Sequence, residues 1–238
     1  MKILKLFFAV MAFLCFGCSI QGQNFSYSTK TYGIEKNIKT DMKIHGNYIS
    51  FPPYLFEFTM RVNQYDSILP NTGEKISSFT FDTANIYLID VNKKMFFEFD
   101  SFTTNAEIIS SGQLKNKKYG VSCKENTAKE ADTALTKDLL RDTIAFSQKL
   151  SYYSSVEKNV NNADSMITHI FFLKNPNFIS IHDIPNRLVK DGSYSMVGFS
   201  VHLIEQNVSV SDELEAFRPL NQFDEKICTG MINKCKGL

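Results

Sequence analysis

Short runs of alternating apolar and polar residues, broken at intervals by turn-forming residues, constrain this chain more than any other feature. Phe56, Phe58, Met60 and Val62 alternate with Glu57, Thr59, Arg61 and Asn63, the two-residue period of a strand with one buried and one wet face. Phe79 and Phe81 repeat the pattern between Ser78, Thr80 and Asp82. Ile86–Asp90 and Met95–Phe99 flank Val91-Asn92-Lys93-Lys94, the strongest hairpin signal in the chain. Ile108-Ile109 is expected to pair with Tyr119–Cys123 across Asn116-Lys117-Lys118. Met166–Leu173, Phe178–Ile184 and Met196–Ile204 are further strand-like runs, separated by Asn175-Pro176-Asn177 and by Pro185–Ser193. This spacing favours a mainly β fold, a curved antiparallel sheet or half-barrel, over alternating βαβ units.

Two helices accompany the strands. Thr127 to about Leu140 is rich in Ala, Lys, Glu and Leu, with Ala131, Leu135 and Leu139 on one face; the strand pattern then resumes through Ile144, Phe146 and Tyr152. At the C-terminus Leu220, Phe223, Ile227, Met231 and Cys235 recur at helical spacing, with Glu213, Glu215, Asp224 and Glu225 toward the start and Lys234 and Lys236 toward the end. That charge order suits a helix dipole, and Pro219 is expected in the first turn. There is no repeat and no linker beyond the polar stretch Ser154–Asp164, so residues 23–238 are expected to form a single mainly-β domain.

The first 22 residues stand apart. Lys2 and Lys5 precede an apolar run from Leu6 to Gly17, closed by small residues, the layout of a secretory signal peptide. The run is too short to span a bilayer, which takes about 20 apolar residues. Two cleavages remain open. Gly17-Cys18-Ser19 has the look of a lipoprotein leader, with Cys18 acylated, although Cys15 and Phe16 stand where leucine and a small residue are usual. Ordinary cleavage after Ser19 or Gly22 is the alternative. The protein is expected in the periplasm, at the outer membrane or secreted, touching membrane only through an N-terminal lipid anchor.

Charge and cysteine content narrow the chemistry. With 26 basic and 25 acidic residues, net charge is +1, which offers no field for nucleic acid. The one dense basic cluster, Lys115, Lys117 and Lys118, is expected to be a solvated hairpin tip, and Asp82, Asp90, Glu98 and Asp100 to be edge or exterior charges. Cys123, Cys228 and Cys235 lie beyond the leader. On a helix Cys228 and Cys235 are about 10 Å apart along the axis, whereas a disulfide needs Cα atoms within about 7 Å. The bridge to expect is therefore Cys123 to one of them, or none. His45, His169, His182 and His202 show no ligand spacing, and neither hydrolase nor metalloprotease nor phosphate-loop motifs occur. No catalytic, cofactor-binding or metal role attaches to any residue. Adjacent strands would bring His169 and His202 together.

The leader, then Phe-Glu-Phe-Thr-Met-Arg-Val-Asn from Phe56, then Tyr-Leu-Ile-Asp-Val-Asn-Lys-Lys-Met-Phe-Phe-Glu-Phe from Tyr87, resemble exported Bacteroidota proteins of the LolA/LolB-like group. The resemblance covers residues 56–123 and implies a curved antiparallel sheet wrapped around helices, able to hold an acyl chain. With 21 Phe, 10 Tyr and no Trp, the sheet has aromatic side chains for a packed core or a greasy cavity. The function expected is a non-enzymatic envelope protein binding a lipid-like apolar small molecule or a partner protein, with Phe56, Phe58, Met60 and Val62 facing the ligand. The alternatives are a secreted hydrolase with a carboxylate or His site, and a structural or adhesive β protein.

Overall fold

A computed structural model describes residues 24–35, 38–68, 72–73, 75–118, 137–158, 165–183, 189 and 192–237. The leader, Cys123 and residues 127–136 of the expected middle helix lie outside these. In chain order the strands are β1 (Phe25–Glu35), β2 (Ile38–Phe51), β3 (Tyr54–Ile68), β4 (Lys75–Asp90), β5 (Met95–Phe99), β6 (Ile108–Gln113), β7 (Arg141–Ala145), β8 (Gln148–Lys158), β9 (Ser165–Lys174), β10 (Tyr194–Leu203) and β11 (Val208–Pro219), followed by helix α1 (Gln222–Lys236).

All the pairings are antiparallel, and they join 11 strands in the order β6-β5-β4-β3-β2-β1-β11-β10-β9-β8-β7. Each strand neighbours its sequence neighbours, and the first strand pairs with the last, as in an up-and-down barrel opened between β6 and β7. The expected mainly-β, curved antiparallel architecture is what the chain forms.

Alternation sorts the central strands into two faces. Phe25, Tyr27, Leu55, Tyr87, Ile89 and Phe96 share one core with Leu150, Val197 and Leu214 from the far half of the sheet. Ile49, Phe56, Ile86, Leu88, Phe97 and Phe99 share the other with Ile227, Cys228, Met231, Ile232 and Cys235 of α1. The helix thus covers the face that carries Phe56. Asn221 caps it, its side-chain oxygen accepting from the Asp224 N–H at 2.9 Å.

Several expectations change. Glu213, Glu215 and Pro219 belong to β11, and α1 begins only after Asn221; the pairing of Leu214 with Thr29 and of Phe217 with Tyr27 outweighs the charged composition. Phe223 is 73% exposed despite its spacing, while Cys228 and Ile232 take the buried stripe. Of the run Phe178–Ile184, residues 178–183 are not a strand: Phe178–Ser180 run off the sheet into a 3₁₀ turn at Ile181–Asp183, and Ile184 lies outside the described residues. Of the expected middle helix, Lys137–Leu139 is a 3₁₀ turn and Arg141 already opens β7. β6 pairs with β5, and Tyr119–Cys123 lie outside the described residues.

Candidate functional site

The register of β2 against β3 runs only from Asn47↔Phe58 to Phe51↔Tyr54. Beyond it β2 continues with β1, and β3 with β4 as far as Ile68↔Lys75. The sheet therefore forks at Asn47 and Phe58. Beyond these residues β2 and β3 no longer pair with each other, and each keeps only its outer neighbour.

The aromatic stripe of β3 runs into this fork. Phe56 is fully buried beneath α1. Two residues on, Phe58 is half-buried, its ring edge-on to the half-buried Phe102 at 5.1 Å, and Met60 is half-buried with Asn47 Nδ2 at 3.8 Å from its sulfur. Val62 continues the strand; its side chain lies outside the described ones. Burial thus falls along the stripe as it leaves the cover of the helix.

The opposite face carries buried polar groups. Lys117, expected in solvent, is 5% exposed and ion-paired with Glu57, itself 3% exposed, with Nζ 4.1 Å from the Tyr87 ring centroid. The chain after β6 turns back over the sheet through Leu114, which is buried, and carries the lysine inward. Burial lowers the Lys117 pKa, and the Glu57 carboxylate opposes that shift. On the face that α1 covers, Asp90 is buried too, accepting the Lys93 N–H at 2.9 Å across the β4–β5 turn. Glu98 accepts from Asn85 Nδ2 at 2.6 Å. Asp100 accepts the Glu107 N–H at 2.9 Å, the main cause of its lowered pKa.

Tyr48 continues this seam. Burial pushes its hydroxyl pKa up, and the carboxylates of Glu57 and Asp212 push it further. Asp212 accepts from Thr31 Oγ1 at 3.0 Å, and its other oxygen lies 3.0 Å from Nε2 of His182, off the line of a hydrogen bond. Asp183 accepts from the backbone N–H groups of Ser180 and Met196, each at 3.2 Å. Burial first, then Tyr48, raises Tyr27, whose hydroxyl accepts the Ile181 N–H at 2.7 Å. The seam's hydrogen bonds tie the Phe178–Asp183 segment to β1 and β10.

His169 and His202 resolve by register, and the side chain of His45 lies outside the described ones. His169 stands opposite Ser200 and His202 opposite Ile167, which places the two diagonally on one face, with His202 Nδ1 2.7 Å from Ser209 Oγ. Cys228 and Cys235 are free and buried; burial raises both thiols, Cys235 to about 11. Among the described residues no group of His, Cys, Asp and Glu has the form of a metal site. The polar seam had no sequence signal of its own. Its parts, Glu57, Tyr48, Lys117 and Asp212, lie on three separate strands and a turn.

No family model matches the chain, and no curated protein does. Among solved structures it is similar to the crystal structure of a DUF1329 family protein from Desulfovibrio piger, with 8% identity over 84% of this chain and 86% of that one and a TM-score of 0.24.

Proposed function

We propose that the protein is an exported, non-enzymatic envelope protein that holds an acyl-chain-like ligand where its sheet forks. The observation that carries this reading is the loss of cover along β3: Phe56 is sealed under α1, while Phe58, Met60 and Phe102 are half-buried at the fork. An apolar chain laid there would remove aromatic and thioether surface from water, at about 25 cal/mol for each Å² buried. The LolA/LolB-like character of the sequence and the lysine-led leader agree with this role.

Native mass spectrometry of protein taken from its own envelope tests the reading. A co-purifying lipid, displaced by a fluorescent fatty acid, is the expected result. A parent protein that carries no lipid and takes up no fatty acid would end it. N-terminal sequencing should place the mature start between Cys18 and Gln23; protein still beginning at Met1 contradicts export. If Cys18 is acylated, Cys18→Ser moves the protein from membrane to soluble fractions, and an unchanged distribution rejects the anchor.

The approach of His182 to Asp212 favours a second reading, a hydrolase using a His–carboxylate pair. An ester or glycoside substrate screened against parent and His182→Ala decides it: turnover lost in the variant supports the hydrolase, and no turnover in the parent removes it.

A further inference from the structure

We propose that the end of the sheet from which the N-terminal segment departs is a docking surface for an anionic lipid bilayer. The register defines this end as a row. Pro219 pairs with Phe25, Phe25 with Ser50, Phe51 with Tyr54, Tyr54 with Asp90, Asp90 with Met95, and Met95 with Gln113. Asn24 lies on the same row, its carbonyl accepting the Leu220 N–H at 2.8 Å and its amide donating to Glu225 at 3.0 Å. The 23 residues that precede it in sequence, with Cys18 among them, leave from this point. Six residues from Cys18 to Asn24 reach at most about 20 Å, so an anchor at Cys18 would hold this end near the bilayer. To that extent the inference rests on the exported reading above.

The surface itself has the chemistry of a membrane interface. Phe223, in the first turn of α1 with the Glu225 that Asn24 bonds, is 73% exposed, an aromatic ring on the solvent side of a helix whose other face is core. From there α1 runs for about 20 Å over the face that carries Phe56, Leu88 and Phe97, with Cys235 of its last turn buried against that face. Exposed cations stand at both ends of that run: Lys93 and Lys94 in the turn after Asp90 with Lys236 at the helix C-terminus, and Arg218 at the end of β11. The acidic groups on the row are engaged within the fold. Asp90 is buried and caps the β4–β5 turn, and Asp224 and Glu225 lie in the first turn of α1, where they offset its positive end. An exposed ring at one end of the run, with exposed cations at both ends, matches the headgroup boundary, where rings enter the acyl region and cations meet phosphate.

The test uses the chain from Gln23 onward, cut from its leader so that no acyl group contributes, with vesicles of phosphatidylcholine alone or containing phosphatidylglycerol. Binding is expected to the phosphatidylglycerol vesicles, weakening as salt rises. Lys93→Glu and Lys94→Glu should each lower partitioning at least about fivefold, and Phe223→Ser roughly tenfold. Lys75→Glu, at the far end of the β3–β4 ribbon, should leave it unchanged. Equal binding to both vesicles, or an equal loss in Lys75→Glu, overturns the proposal. Fatty-acid uptake measured on the same variants separates the two ideas: rim variants that lose vesicles but keep uptake support the docking surface, and a parent that binds vesicles but no fatty acid keeps this surface while the ligand reading falls. Uptake that falls in step with vesicle binding would assign the loss to misfolding of that variant, and conservative Lys93→Gln and Lys94→Gln then decide, with unchanged binding overturning the proposal.

Discussion

The Nζ of Lys117 pairs with Oε2 of Glu57 while standing 4.1 Å from the centroid of the Tyr87 ring, so a turn beyond the edge strand β6 is fastened to β3 and β4. Both side chains of the pair are almost wholly out of water. Removing one partner takes the ion pair from a charge that stays buried, which typically costs about 3–5 kcal/mol, a large share of the roughly 5–15 kcal/mol that holds a domain folded. Lys117→Met and Glu57→Gln should each lower the urea midpoint by an amount of that order. The double variant should lose less than the sum, because neither charge is then left alone. Additive losses across this cycle would show that the pair is not coupled.

Gly198 has a different reason to be what it is. It sits at the bulge where β10 loses register with β9, and a Cβ there would lie 2.6 Å from the Asp212 carbonyl oxygen and 3.3 Å from the Phe146 ring. A backbone atom cannot step aside as a side chain does, so Gly198→Ala should destabilise by about 1–3 kcal/mol. Gly112 on β6 meets only the Phe96 ring at 3.5 Å, and Gly112→Ala should stay within about 0.5 kcal/mol. Thermal unfolding of both variants checks the contrast, and equal shifts would refute it.

How far the sequence could be read follows from where each signal resides. Phe56, Phe58 and Met60 announce a strand because alternation is local, and Asn92-Lys93 announces a turn for the same reason. β1 carries no such signal because what defines it is remote: Tyr27 is set among Tyr48, Phe178 and Phe217, and not by its neighbours in sequence. β11 went unread because Glu213 and Glu215 look like the acidic start of a helix, and only the ladder to β1 makes them strand residues. Lys117 was expected in water for the composition of its neighbours, Lys115 and Lys118. The carboxylate that draws it inward is 60 residues away, and nothing along the chain records that distance.

Alkaline pH should weaken the fold. Burial holds the Cys235 thiol at about 11 and raises Cys228, Tyr27 and Tyr48 as well. A group whose folded pKa is raised contributes stability that is complete below its unfolded pKa, near 8.5 for cysteine and about 10 for tyrosine. That contribution is lost as pH climbs through the folded value. Lys117 has the opposite sign: its lowered pKa makes stability rise with pH below the unfolded lysine value of about 10.4. The thiols and phenols outnumber it, so the urea midpoint should fall from about pH 9 to about pH 11. Cys235→Ala should flatten the lower part of that decline. A midpoint that holds or rises over this range would contradict the burial of the two thiols.

Phe56 and Phe58 share a strand and a face, yet they should answer differently to the same change. Phe56 is fully enclosed with Ile227, Cys228 and Met231 of α1, so Phe56→Ala opens a void that the helix can only partly fill, costing about 3–5 kcal/mol. Phe58 stands two residues further along, half-buried at the fork, with Phe102 against its ring. Less of its surface was ever removed from water, so Phe58→Ala should cost less than Phe56→Ala, and should instead weaken uptake of a fluorescent fatty acid if the fork holds the chain. Urea stability and fatty-acid uptake measured side by side on the two variants separate packing from binding. Should Phe58→Ala prove as costly as Phe56→Ala, with no uptake by the parent, the fork is part of the packed core and the ligand site is excluded.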